Sequence, residues 1–231
     1  MPTTPQPRLV FTTPFGERDA HECETRGFCD LAQAEFPDGS FVPLVFYDLV
    51  RLEQEMQARS ERGQTWLAVP GLVVLPRVTR ERMARAVEGM YREHFFDEVV
   101  ARPPPGGPGE TAGDRSADTG PRLVFDEGFG EREAYESEAR SYCAWAQAEF
   151  PDGSFIPLYF YDPVGVSCDI GSADEYGPEH LADPALIIVE RVTPEQMERA
   201  VEGLRREGYF DHLVRFPAGS GPFPYGPSTT P

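Results

Sequence analysis

One ten-residue stretch with a regular hydrophobic pattern occurs twice in the chain. Residues 32–41 and 146–155 both read AQAEFPDGSF, and each continues into a closely similar apolar run. The shared Pro-Asp-Gly sequence is typical of a tight turn, because Pro fixes φ, Asp bonds its own backbone and Gly accepts a positive φ. The sequence therefore predicts a β-hairpin in each copy.

The strand that follows the first turn is apolar on both faces. Val42, Leu44 and Phe46 would point to one side, while Phe41, Val45 and Tyr47 would point to the other. An alternation of this kind with no polar face indicates a strand that is covered on both sides.

The similarity extends far beyond the hairpins. With an offset of 114, residues 7–103 align with residues 121–217 without a net gap. We call two positions equivalent when their numbers differ by this offset. The alignment predicts a tandem duplication, with a first unit at 1–103 and a second at 121–217. A linker rich in Pro and Gly would occupy 104–120, and a flexible tail would occupy 218–231.

Further elements follow from periodicity and capping signals. Short strands are predicted at 8–11, 72–75, 122–125 and 186–189, and a helix is predicted after each of Thr79 and Thr193. The segment after Asp48 predicts a helix over 49–62. Its counterpart begins with Pro163 and contains Gly165 and Gly171, which makes the same helix unfavourable, so residues 163–184 are predicted to form a long loop.

One region of each unit fits two interpretations. Residues 17–26 and 131–141 have apolar positions at helical spacing, and the second copy is rich in residues that favour helices. They can also be interpreted as strands that lead into the hairpin, and we favour the strand.

Together these elements predict an α+β fold, a tandem duplication of a small antiparallel-sheet unit with one or two packed helices. Two such units would pack about a pseudo-twofold axis, as in a fused homodimer.

The charge of the chain excludes some partners and favours others. The formal net charge is −18, and residues 121–231 carry 20 acids against 8 arginines. Such a surface argues against direct binding to nucleic acid or to anionic lipid. It suits either solubility alone or a basic protein partner.

Other features bear on the cellular setting. The chain contains neither Lys nor Asn, which indicates a bacterium with a GC-rich genome. No apolar run long enough for a membrane helix and no secretory signal occur, so we expect a cytoplasmic protein.

Residues 163–184 of the second unit hold most of the candidate chemistry. Side chains proposed for partner binding are Asp169, Asp174, Glu175, Glu179 and Asp183. A divalent metal could instead use Asp174, Glu175 and His180, although their spacing does not match an EF-hand. No cofactor-binding fingerprint occurs, so no cofactor is predicted.

Three functions are compatible with these features. The first is a non-enzymatic adaptor, inhibitor or immunity-type module that binds a basic protein partner. The second is a metal-assisted hydrolase that uses residues 168–183. The third is a structural subunit of a larger assembly, which could form by self-assembly.

Overall fold

The computed structural model describes residues 4–103, 120–171 and 179–218, and we call the parts before and after residue 110 the first and second halves. The first half forms β1 (Arg8–Phe11), α1 (Glu17–Arg26), β2 (Phe28–Glu35), β3 (Phe41–Asp48), α2 (Leu49–Ser60), β4 (Trp66–Leu67), β5 (Leu72–Leu75) and α3 (Arg80–Arg92). The second half forms β6 (Arg122–Phe125), α4 (Glu131–Arg140), β7 (Tyr142–Glu149), β8 (Phe155–Tyr161), α5 (Pro163–Gly171), β9 (Leu186–Val189) and α6 (Pro194–Glu207). A 3₁₀ turn follows the last helix of each half, at Phe95–Asp97 and Tyr209–His212.

These elements build an α+β fold, as predicted. The strand orders are β1-β2-β3-β5 in one sheet and β4-β9-β8-β7-β6 in the other. The sheets are mixed rather than purely antiparallel, because β3 pairs in parallel with β5, and β8 with β9. Each parallel pair requires a crossover connection, which α2 and α5 supply. No helix within the described residues has the length and apolar character needed to cross a bilayer.

Both predicted hairpins are present. In the first, Gly39 has a φ of 85° and the Asp38 carboxylate accepts a hydrogen bond from the Ser40 amide at 2.9 Å. The next strand, β3, is covered on both faces, as predicted. Phe46 lies in one apolar core, and Tyr47 lies in a second core on the opposite side.

The strand interpretation of residues 17–26 and 131–141 is wrong, because α1 and α4 occupy these positions. The Asp19 carboxylate accepts a hydrogen bond from the Gly16 amide at 2.8 Å, which caps α1 at its start. Gly27, with a φ of 63°, ends the same helix in the left-handed region. The apolar positions at helical spacing were therefore the better guide.

The prediction of a loop over 163–184 is also wrong at its start, where α5 forms. The Asp162 carboxylate caps this helix by accepting hydrogen bonds from the Val164 and Gly165 amides at 2.9 and 3.0 Å. Pro163 occupies the first turn, where its missing N–H costs nothing. A Cβ on Gly165 would lie 2.2 Å from the Ser141 carbonyl oxygen, so glycine allows α5 to pack closely here.

Several predicted segments lie outside the described residues. These are positions 172–178 of the predicted loop, most of the linker at 104–119 and the tail from 219 onward.

The two halves exchange short segments of backbone. In β4, Leu67 pairs with Ile188 of β9, so the first half extends the sheet of the second. In return, the amide and carbonyl of Leu181 each form a 2.9 Å hydrogen bond with Val74 of β5. Leu67 and Leu181 are equivalent positions, and so are Val74 and Ile188. The exchange is therefore reciprocal, which is the relation that a twofold axis produces.

A ring next to each exchanged leucine packs on a helix of the other half. Trp66 lies on Gly203 of α6, and a Cβ built on that glycine would lie 2.1 Å from Cζ2 of the indole. His180 lies on Gly89 of α3, where a Cβ would lie 2.3 Å from Cε1 of the imidazole. Both contacts require glycine because the ring occupies the space of a side chain. We call this region of exchanged backbone and seated rings the junction.

An apolar core behind the junction is shared by both halves. It is formed by α2, α5 and the strand faces next to them, and it contains Tyr47, Leu52, Met56, Leu67, Leu72, Val74, Tyr159, Tyr161, Val166, Ile170, Leu181, Leu186 and Ile188. Each half therefore buries apolar surface that it would expose if it stood alone.

The seat of Trp66 yields a first prediction. In an open helix, Gly→Ala stabilises by up to about 1 kcal/mol, but Gly203→Ala should lower the free energy of unfolding by about 1–3 kcal/mol because the new methyl collides with the indole. Urea unfolding measures the difference.

The control for this prediction combines Gly203→Ala with Trp66→Ala. Once the indole is removed, the added methyl should be neutral or stabilising relative to Trp66→Ala alone. If Gly203→Ala stabilises the otherwise unchanged protein, the ring does not occupy this seat.

Candidate functional site

The junction brings four of the predicted site residues close to the first half. Asp169 lies near the end of α5, while Glu179, His180 and Asp183 belong to the segment that crosses to α3 and β5. Asp174 and Glu175 lie outside the described residues.

His180 is held between the two halves. The residue is only 8% exposed, and its imidazole packs on Gly89. Its Nε2 lies 3.2 Å from Oε2 of Glu93, one turn further along α3, at ion-pair distance but without hydrogen-bond alignment. This contact lowers the pKa of the Glu93 carboxyl below its ordinary value.

Glu179 makes a second polar contact across the junction. One of its carboxylate oxygens lies 3.0 Å from Nη1 of Arg85 on α3. Both side chains are about half exposed, at 52% and 51%, and such a pair contributes at most about 1 kcal/mol. The contact orients the segment more than it stabilises the fold.

Asp183 is the most perturbed carboxyl group of the region. Burial and, after it, the nearby carboxylates of Glu93, Glu98 and Asp169 raise its pKa to about 7, against an opposing effect of His180. We call these five residues the junction cluster. A half-buried acid whose pKa is shifted by desolvation and by specific neighbours is typical of a functional site.

Two tyrosines contribute to the surroundings of Asp183. The Tyr161 hydroxyl donates a hydrogen bond to the Asp169 carboxylate at 3.0 Å. The rings of Tyr142 and Tyr161 lie 4.6 Å apart, and burial followed by the charge of Asp183 raises the pKa of both hydroxyls. Asp183 therefore lies among poorly solvated groups. Because water screens charges weakly in such surroundings, neighbouring carboxylates repel each other more strongly.

The equivalent place in the first half has different chemistry. Trp66 corresponds to His180 and Val69 corresponds to Asp183, so that side carries apolar side chains. Glu55 corresponds to Asp169, but it lies between Arg51 and Arg59 at 3.2 and 3.0 Å. The equivalents of these arginines are Gly165 and Ala173, so the arginine pair of the first half is not repeated in the sequence of the second.

Glu93 and Glu98 have no signal in the sequence that marks them as site residues. They lie more than eighty positions before Asp183, and only the exchange of segments brings them close. The sequence holds one indirect signal, which is that His180 is equivalent to Trp66. A tryptophan at this position indicates a packed segment rather than an exposed loop.

The hypothesis of a metal site at Asp174, Glu175 and His180 stays a prediction, because two of its three residues lie outside the described residues. Among residues 4–103, 120–171 and 179–218, no three His, Cys, Asp or Glu side chains are arranged to hold a metal ion. His180 instead contacts Glu93.

Comparison with known proteins gives no matching family model, no similar curated protein and no similar solved structure. The chemistry of the junction cluster is therefore the basis for a functional proposal.

The raised pKa of Asp183 yields a second prediction, for stability against pH. The folded state holds this proton up to about pH 7, whereas an unfolded Asp releases it near pH 4. The contribution of this group is therefore greatest below about pH 4 and is lost as the pH rises to about 7. Asp183→Val introduces the residue type that the first half carries at the equivalent position, Val69. This change should remove the loss of stability with rising pH.

Urea unfolding at pH 5 and pH 8 tests this expectation. Asp183→Val should raise the free energy of unfolding more at pH 8 than at pH 5. The two increases should differ by at most about 3 kcal/mol. Val50→Ala, at an exposed position in α2, is the control; it removes no titrating group, so its effect on the unfolding free energy should be the same at both pH values. An equal gain at both pH values would mean that the pKa of Asp183 is ordinary.

Proposed function

We propose that the protein is a non-enzymatic interaction module that binds a basic protein partner at the junction cluster. The observation that carries the proposal is the gathering of Glu93, Glu98, Asp169 and Asp183 at the junction, where desolvation and then the neighbouring carboxylates raise the pKa of Asp183. A Lys or Arg side chain of a partner would bring a positive charge to the cluster and relieve the repulsion between the carboxylates.

The position of the cluster supports this proposal. His180 and Asp183 lie on the connection between α5 and β9, and connections of this kind often carry recognition. The first half forms the same crossing with Trp66 and Val69, so the scaffold does not itself demand an acid here.

The net charge of −18 adds a longer-range attraction. A strongly acidic protein is steered towards a basic partner before contact, and this effect weakens as salt screens the charges. An adaptor, an inhibitor or an immunity-type protein of a bacterial cytoplasm would use such a surface.

Capture of a partner from native cytoplasm, at low and at high salt, yields the third prediction. A basic protein should be retained at low salt and released at high salt. Glu98→Gln, Asp169→Asn and Asp183→Asn in combination should weaken its binding by at least about tenfold, because three carboxylates near the contact lose their charge.

A matched variant carries Glu17→Gln, Glu61→Gln and Glu81→Gln. These exposed residues of the first half change the net charge by the same amount but lie outside the junction cluster. It should retain most of the affinity. Equal weakening by both triple variants would mean that only overall charge matters, and failure to retain a basic protein at low salt would contradict the proposed function.

A further inference from the structure

Two aromatic side chains of the second half are exposed. Tyr135 is 73% exposed and Trp145 is 43% exposed. The other large apolar side chains exposed in the described residues are two pairs of equivalent valines, Val50 with Val164 and Val100 with Val214. The paired valines belong to the scaffold that both halves share. Neither Tyr135 nor Trp145 has a Phe, Tyr or Trp counterpart, because the equivalent residues are His21 and Leu31.

Tyr135 belongs to α4 and Trp145 belongs to β7, and these two elements pack together. Ser137 is the buried residue of α4, and Tyr135, two positions earlier, lies on the solvent-facing side. Trp145 lies at an irregularity in the pairing of β7 with β8, between Cys143 and Ala146. We call residues 126–145 the α4–β7 surface.

The α4–β7 surface is strongly acidic. Residues 126–138 contain six acids and one arginine, against four acids and one arginine in the equivalent segment 12–24. Glu136 and Glu138 are ion-paired with Arg132 and Arg191 at 2.9 and 2.6 Å. Glu127 and Glu131 are exposed, and they remain available to a partner.

We infer that the α4–β7 surface binds arginine side chains of a basic protein partner through Tyr135 and Trp145. The inference rests on the proposed function and names the chemistry that the partner presents. A planar guanidinium stacks on an aromatic ring while carboxylates attract its charge, whereas a lysine ammonium is more strongly hydrated and cannot stack.

The same contact occurs within this chain. The guanidinium carbon of Arg215 lies 3.6 Å from the ring centroid of Phe150, and that of Arg80 lies 5.8 Å from the centroid of Phe11. A second copy of this chain is a poor occupant of the surface, because two acidic surfaces would then face each other.

Octa-arginine and octa-lysine peptides distinguish this inference from the broader proposal. Fluorescence anisotropy with labelled peptides at low salt and pH 8 measures both affinities. Attraction by charge alone predicts equal binding, whereas stacking on two rings predicts that the arginine peptide binds about fivefold to tenfold more tightly.

The test variant combines Tyr135→Leu with Trp145→Leu, which removes both rings. Both changes leave the charge unaltered at pH 8, and the preference for arginine should disappear. Val164→Ala, at an exposed apolar position of α5, should keep the preference. Tryptophan emission is a second readout, because octa-arginine should change the signal of exposed Trp145 while Trp66 stays packed on Gly203.

Each outcome has a distinct meaning. Equal affinity for the two peptides, or a preference that survives in the double variant, would overturn the inference and leave the proposed function standing. Failure of both peptides to bind at low salt would overturn the proposed function and this inference together.

Discussion

The reciprocal exchange of short segments is the contact on which the rest of this structure depends. Leu67 pairs with β9 and Leu181 pairs with β5, so each half covers a sheet edge that the other would leave open. An uncovered edge presents unpaired backbone groups and invites association with other chains. The exchange also closes the apolar core between α2 and α5, to which both halves contribute.

This constraint gives the two sides of the junction the same geometry but not the same chemistry. At one side, Trp66 fills the space above Gly203 with an apolar ring. At the other, His180 fills the space above Gly89 and brings Asp183 close to Glu93 and Glu98. Apolar residues satisfy the packing on the first side, so the acids on the second cost stability that the fold does not require. Such a cost is typical of sites that are kept for binding.

Local physical rules predicted much of the fold. The hairpins, the central strands and the helices that begin after Thr79 and Thr193 all follow from turn chemistry, alternation and capping. The strand interpretation of α1 and α4 was wrong because Asp19 and Glu133 cap these segments as helices at Gly16 and Gly130. The prediction of a loop at α5 failed because Gly165 serves close packing against Ser141, a tertiary reason that no local pattern displays.

The candidate site was predictable only in part. The acids of the second half stand out in the sequence, because they occupy a segment that differs from its counterpart. Their neighbours Glu93 and Glu98 depend on the exchange of segments, which links positions far apart in the chain. Nor does the sequence indicate that Asp183 is half-buried, since this depends on the packing around the junction.

The most direct test of this account is a titration of the Asp183 carboxyl carbon by NMR in the free protein. Desolvation, followed by crowding by Glu93, Glu98 and Asp169, predicts a midpoint near pH 7. A midpoint near pH 4, the ordinary value for an aspartate, would contradict the claim that the junction gathers carboxylates in poorly solvated surroundings.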